Sequence, residues 1–405
     1  MGKRNGKRRG GARRHDARAM AAGREVGRGV GRNVGQSAGQ NAEIAALPQV
    51  DALHDVPSFA DMGADEAQRS AFAAYCDTAE QPEQLQLGCV VRLDRGYPLV
   101  VTAGLALRAE HAVGFAKPRG EAQALLPAIG DRVAVRCDAG HEHGIIERVL
   151  PRRTVFERWR GRNRGERQVL AANVDTILVV QPLGAARDSD ELVRDRIARS
   201  LVLINDCGAR PVVVLTKADR CTEAELDRVQ AVVRALVGTG VRLIVTSAAE
   251  DQGLDEVRSC VPAGSCAVIL GESGAGKSTL LNALLGHDAL ATGGVRERDD
   301  AGRHTTVARV MVALPGDAGV IADAPGLRSL PLVGHERGLA RTFPEVVEAA
   351  HRCRFNDCTH THEPGCAVRE ACDAGEIEPV RLEAFLALAR EMRVSAQSLD
   401  PDVHL

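Results

Sequence analysis

The chain has 405 residues, 44% of them hydrophobic and 2% aromatic, with a net charge of −2. That length predicts two to four domains built on Leu, Val and Ala cores. No apolar run approaches the roughly 18 residues of a membrane span, and the basic N-terminus lacks an apolar signal core, so a monomeric cytoplasmic protein is expected, with no membrane partner.

The eleven cysteines are an odd count, with four crowded between Cys353 and Cys372. This favours a reduced protein with a metal site over a disulfide framework. Charge is unevenly placed. Residues 1–40 carry eleven Lys or Arg against Asp16 and Glu25, a balance of +9 that leaves −11 for the remainder. Gly, Arg, Asn and Gln dominate there, which predicts disorder. Such a tail could contact RNA or simply aid solubility. Residues 46–84 are mixed, with a possible short helix from Asp65 to Cys76. The whole of 1–84 is expected to be a basic, largely disordered extension.

Residues 85–150 hold short β-type runs at 86–93, 97–102, 111–115, 132–136 and 143–149, with turn residues between them. About five strands in so short a stretch predict a small barrel of OB type. Tyr97 and Phe115 are its few candidates for stacking on bases.

Residues 151–167 contain seven arginines against Glu157 and Glu166, with Phe156 and the only tryptophan, Trp159. This reads as an interdomain linker that either binds RNA or is merely solvated.

From Asn173 the pattern becomes α/β. Strand candidates lie at 176–180, 211–216, 242–246, 267–270, 307–313 and 319–323. Leu192, Ile197, Leu201 and Ile204 form one helical stripe. Thr222 to Glu225 is a capping box opening a helix that stops at Gly238. The alternation predicts a doubly wound parallel sheet over 151–335.

Within it, Gly271, Glu272, Ser273, Gly274, Ala275, Gly276, Lys277, Ser278 and Thr279 follow a strand and open a helix. The spacing is G-x-x-x-x-G-K-[ST]. Glycines let successive N–H groups face a phosphate. Lys277 would reach the β- and γ-phosphates and Ser278 would hold Mg²⁺. Lys277 is one of five lysines among 52 basic residues, and a slim ammonium fits between phosphates where a guanidinium does not.

A phosphate loop alone does not choose the base. Thr216, Lys217, Ala218 and Asp219 stand where a strand ends. A carboxylate there can accept both N1–H and N2–H₂ of guanine, and the lysine stem can lie on the base. Ser247 and Ala248 could offer an N–H to guanine O6. GTPases usually carry Asn where Thr216 stands. Further on, Gly302 to Thr306 and Asp323 to Gly326 match the two switches. Thr305 would complete the Mg²⁺ shell, Asp323 would hold the ion through water, and the Gly326 N–H would meet the γ-phosphate. Leu327 stands where many GTPases have a water-orienting Gln, so His304 is the candidate for that role. Base recognition precedes the phosphate loop, the reverse of the ordinary order, so the domain is circularly permuted.

Cys353, Cys358, His360 and Cys366 supply three thiolates and an imidazole, which suits a closed structural Zn²⁺ site within a helical segment, 336–405. Cys372 and His362 are less regular candidates. A helix pattern follows from Pro379, with Leu382, Phe385, Leu386 and Ala389 on one face.

Over 85–395 these motifs together resemble the circularly permuted GTPases of small-ribosomal-subunit biogenesis. The resemblance rests on the barrel, T-K-A-D, G-E-S-G-A-G-K-S-T, G-R-H-T-T, D-A-P-G and C-R-F-N-D-C-T-H-T-H-E-P-G-C. It implies GTP hydrolysis to GDP stimulated by the small subunit, rRNA binding, and a role late in subunit maturation. The alternative is a P-loop NTPase or kinase acting on a small molecule.

Overall fold

The computed structural model describes residues 47, 49–94, 97–112, 126–138, 143–160, 166–184, 190–289, 309–323, 332 and 334–399, with backbone alone at 158–160, 166–167 and 398–399. Two short helices come first, α1 (Phe59–Met62) and α2 (Glu66–Cys76). Asp65 caps α2 through the Gln68 amide, and Gln68 returns a bond to Asp65. The expectation of disorder up to residue 84 therefore fails from residue 49 onward. The reason is docking. Arg132 donates to the Met62 and Gly63 carbonyls at 2.9 and 2.8 Å, and Tyr75 donates to Glu147 at 2.9 Å. Residues 1–46 lie outside the described residues.

Five strands follow: β1 (Leu85–Asp94), β2 (Tyr97–Thr102), β3 (Ala106–His111), β4 (Arg132–Arg136) and β5 (Gly144–Val149). They pair β1–β2–β3–β5–β4 and close through β4 onto β1, with β3 and β5 parallel and the rest antiparallel. This is the five-stranded closed barrel expected of an OB fold. Val90, Val100, Ala109, Val133, Val135 and Ile146 fill part of its interior. Phe115 lies outside the described residues.

The arginine-rich stretch is not a loose linker. β6 (Val155–Arg160) and β7 (Glu166–Ala172) form an antiparallel hairpin. Arg152 is spent internally, bonded through Nε and Nη2 to the fully buried Asp131 at 2.7 and 2.6 Å. Arg153 pairs with Asp175 at 3.0 Å.

The α/β domain comprises β8 (Thr176–Pro182), α3 (Asp190–Cys207), β9 (Arg210–Thr216), α4 (Glu223–Val237), β10 (Arg242–Val245), α5 (Leu254–Arg258), β11 (Cys266–Leu270), α6 (Lys277–Leu285), β12 (Arg309–Ala313) and β13 (Val320–Asp323). The strand order is β10–β9–β8–β11–β13–β12. Five of these strands are parallel, and β12 is antiparallel to β13. Six residues separate β12 from β13, too few for a crossover, so only a hairpin can join them. Along α3 the stripe is shifted: Leu192 is exposed, and Val193 is buried with Ile197, Leu201 and Ile204. The Thr222 capping box and the Gly238 stop stand as read.

One face of the sheet buries α3, while the other buries Leu280, Leu281 and Leu284 of α6. The C-terminal helices α7 (Glu336–Thr342), α8 (Pro344–Ala350), α9 (Ala367–Asp373) and α10 (Pro379–Leu399) join the α3 face. Arg381 ties them down, bonding Glu345, the Thr342 carbonyl and the Leu236 carbonyl at the end of α4. Arg199 of α3 pairs with Glu391 of α10.

Asn173 joins the barrel to this domain. It is fully buried with φ 57°, a left-handed conformation that Asn tolerates. Its Nδ2 donates to the Gly130 carbonyl at 2.9 Å. Its Oδ1 accepts from Gln68 Nε2 at 3.0 Å and the Arg153 amide at 2.9 Å. Asn173→Ala strips a partner from the buried Gly130 carbonyl and Gln68 amide and from the part-buried Arg153 amide, and should cost about 2–4 kcal/mol of stability. A urea unfolding curve with an unchanged midpoint would contradict that role.

Candidate nucleotide site and metal centre

The site lies where β8, β9 and β11 end. β11 is central, between β8 and β13, and all five of its residues are buried. Ligands of open α/β sheets gather at such carboxyl ends. The chain leaves β11 at Gly271. A Cβ there would sit 2.5 Å from the Val180 carbonyl, so only glycine lets the loop pass. The loop returns at Gly276, whose φ of 91° is again glycine territory. Gly276 is the N-cap of α6, and Lys277, Ser278 and Thr279 form its first turn. The helix thus aims unpaired N–H groups and positive partial charge at whatever lies before it.

Each carbonyl from 271 to 275, save that of Ser273, is held by a named donor. Lys277 Nζ lies 2.7 Å from both the Gly271 and Glu272 carbonyls. Lys217 Nζ donates to the Gly274 carbonyl at 2.7 Å. Thr216 Oγ1 donates to the Ala275 carbonyl at 2.7 Å, and that bond is buried. Threonine in place of Asn therefore still braces the loop, through a hydroxyl instead of an amide.

The base-reading residues converge on the same spot. Thr216 ends β9, and Lys217 takes a left-handed φ of 64° that turns the chain into Ala218–Arg220. The Ala218 amide bonds the Thr246 carbonyl at 3.1 Å, which brings 246–248 alongside. Ser247 Oγ donates to Asp219 Oδ1 at 2.7 Å. One carboxylate oxygen is thus oriented, and the group remains an acceptor fit for a paired N–H donor edge. Ala248 follows in the same turn, which Ser247 and Gln252 close by exchanging backbone bonds. Asp323 ends β13 in register with Ile269 of β11, beside the loop. His304, Thr305 and Gly326 lie outside the described residues.

Sequence reasoning missed the α3 side of the loop. Arg196 pairs with Glu272 at 2.9 Å. Both line a cavity of about 330 Å³ with Gly184, Lys217, Arg220 and Ser273. Arg196 sits on the predicted helix, but only the fold brings it to a loop 76 residues onward. The turn at Pro182–Gly184 was findable as the end of a parallel strand.

The metal candidates also meet. Single donor atoms of Cys353, Cys358, His360 and Cys366 all lie within 4.8 Å of one another. His360 Nδ1 is 3.6 Å from Cys353 Sγ and 3.5 Å from Cys366 Sγ, and those two sulfurs are 4.0 Å apart. Tetrahedral zinc with its usual bond lengths needs about 3.6 Å between N and S and about 3.8 Å between two S. The set fits a metal ion. His360 reaches its place with φ 60°. Cys372 stands apart on α9, and His362 Nδ1 pairs with the Thr361 hydroxyl at 2.9 Å.

A permuted P-loop sheet with a barrel before it and a Cys₃His cluster after it defines a circularly permuted GTPase class. Residues 149–333 match the RsgA GTPase family. The small ribosomal subunit biogenesis GTPase RsgA of Streptomyces coelicolor is 44% identical over 333 residues, covering 81% of this chain and 85% of that protein. The crystal structure of YjeQ from Thermotoga maritima is similar at TM-score 0.57 and 26% identity, covering 76% of this chain and 99% of that one. YloQ, described as a circularly permuted GTPase, has TM-score 0.55 at 21% identity and covers 78% and 98%, a likeness of fold alone. The chain belongs to the RsgA family of GTPases and is a GTP hydrolase. That membership favours the GTPase reading over a small-molecule kinase.

Thr216→Val keeps the side-chain shape and removes the donor to Ala275. A lost buried hydrogen bond of this kind should weaken GTP binding by roughly 5- to 30-fold. Thr216→Asn should restore most of it. Equilibrium titration with a fluorescent GTP analogue reads both.

Proposed function

We propose that this chain binds the small ribosomal subunit and hydrolyses GTP late in the subunit's maturation, acting in the cytoplasm as a single chain. The relatives' printed name supplies the subunit. The observation that carries the nucleotide reading is the bracing of the phosphate loop by Thr216 and Lys217, next to the Ser247-oriented carboxylate of Asp219.

In this reading Asp219 accepts from guanine N1–H and N2–H₂, the Lys217 stem lies on the base, and Ser247 and Ala248 border O6. Gly271 to Thr279 wrap the phosphates. Lys277 exchanges its two carbonyl partners for phosphate oxygens. Ser278, Thr305 and, through water, Asp323 would hold Mg²⁺, whose charge would offset that developing on the phosphates. The Gly326 N–H meets the γ-phosphate, and His304 orients the attacking water. Cys353, Cys358, His360 and Cys366 would hold one structural Zn²⁺, which would keep the C-terminal segment shaped for rRNA. The barrel offers the other rRNA contact.

Turnover with and without purified small subunits tests the partner. Stimulation of GTP hydrolysis is expected, and an unchanged rate would remove the subunit from the account. Asp219→Asn should abolish the preference for GTP over other nucleotides, and retained preference would move base reading elsewhere. Elemental analysis should find about one zinc per chain, lost together with subunit binding in Cys366→Ser. Zinc content equal to wild type in that variant would exclude the Cys₃His assignment.

A further inference from the structure

The loop proposed to wrap the phosphates carries a charge of the wrong sign. Gly271 to Thr279 contain one acid, Glu272, and one base, Lys277, so the loop by itself is neutral. Lys277 Nζ is 2.7 Å from the Glu272 carbonyl, which puts residue 272 beside the cation meant for the phosphates. A carboxylate tethered there repels a polyphosphate over a range of about 8–10 Å at ordinary ionic strength.

Arg196 answers that charge. Its Nη2 lies 2.9 Å from Glu272 Oε2, and both side chains line the cavity on the α3 side of the loop. The pair is held firmly from the helix. Val193 and Ile197, on either side of Arg196, are buried in the core. Arg194 and Arg199 pair with Glu383 and Glu391 of α10. Contacts that do not involve the nucleotide thus fix α3, and Arg196 sets where the Glu272 carboxylate stands rather than the reverse. The neighbouring cations of the cavity are engaged elsewhere. Lys217 donates to the Gly274 carbonyl at 2.7 Å, and Arg220 lies 3.7 Å from Asp219.

We infer that Arg196 is a specificity-determining residue for the nucleotide: by masking the Glu272 carboxylate it lets the loop favour the triphosphate over the diphosphate. The inference rests on the proposed wrapping of the phosphates by Gly271 to Thr279. GTP carries a phosphate charge that GDP lacks, so an unmasked Glu272 opposes GTP the more strongly. Arg196 is 25% and Glu272 46% exposed, so solvent screens the repulsion. The expected scale is that of a partly exposed ion pair, about two- to fivefold in affinity.

The test measures, in the full chain, the Kd of a fluorescent non-hydrolysable GTP analogue and of the matching GDP analogue. Arg196→Ala should weaken GTP binding about two- to fivefold at low salt and weaken GDP binding less. Most of that loss should vanish in about 1 M salt, where the screening length falls to about 3 Å. Arg196→Lys keeps the charge and should keep most of the affinity. Glu272→Gln leaves Arg196 unopposed, so it should tighten GTP binding by a similar factor. Combining Arg196→Ala with Glu272→Gln should restore most of the lost affinity, since neither charge remains. Wild-type GTP affinity in Arg196→Ala overturns the inference and leaves the proposed function standing. A loss that Glu272→Gln fails to restore, that salt leaves intact, or that is equal for GTP and GDP also overturns it, and makes Arg196 a packing residue of α3. Unchanged GTP affinity in Lys277→Ala would overturn the assignment of the loop to the phosphates, and the inference with it.

Discussion

The carbonyls of the phosphate loop are the constraint on which the site depends. A peptide unit is planar, so holding its C=O in one direction sends its N–H in the other. Lys277, Lys217 and Thr216 bond the carbonyls of residues 271, 272, 274 and 275. The amides between them are thereby turned as a set. A loop with Gly271, Gly274 and Gly276 has too much freedom to hold that arrangement by itself. Two of the three donors come from the end of β9, more than fifty residues earlier. Base reading and phosphate binding are thus mechanically one unit, and a change in either strand end is felt by the other.

Permutation changes what this unit is connected to. The sheet keeps β11 at its centre, but β13 now leads toward the C-terminal helices. Those helices close over α3. His335 and Arg337 bond Asp206 at 2.8 and 3.2 Å, and Arg381 spans α10, α8 and the end of α4. These bonds set the orientation of the C-terminal helices on α3 and α4. On the opposite edge, β12 continues into the barrel through β1. The chain after the first switch motif is therefore paired with the barrel, and the chain after the second leads to the metal cluster.

Local patterns survived the fold wherever one element could satisfy them alone. The capping box at Thr222, four of the five barrel strands, and the glycine loop between strand and helix depend on neighbours within a few residues; the third barrel strand instead lies at Ala106–His111, ahead of the run read at 111–115. Expectations failed where a distant partner intervened. Arg152 looked RNA-binding or solvated because nothing near it in sequence shows Asp131. Apart from the helix read at Asp65–Cys76, residues 49–84 looked formless because their order comes from Arg132, Glu147 and Asn173. Leu192 fits a helical stripe, but α3 is rotated so that Val193 faces the sheet instead. The direction of β12 was implicit in its short connection to β13, a signal that strand-like composition hides.

The sequence by itself determined the chemistry. A lysine in an arginine-rich chain, a carboxylate after a strand, and three cysteines with a histidine at ligand spacing are meaningful before any coordinates exist, since donor type and local spacing are covalent facts. Motif order also exposed the permutation. Only the tertiary structure decided which residues brace the site. Thr216 and Ala275, and Arg196 and Glu272, meet because sheet order and helix packing bring remote segments within hydrogen-bond distance. No periodicity in the chain encodes those distances.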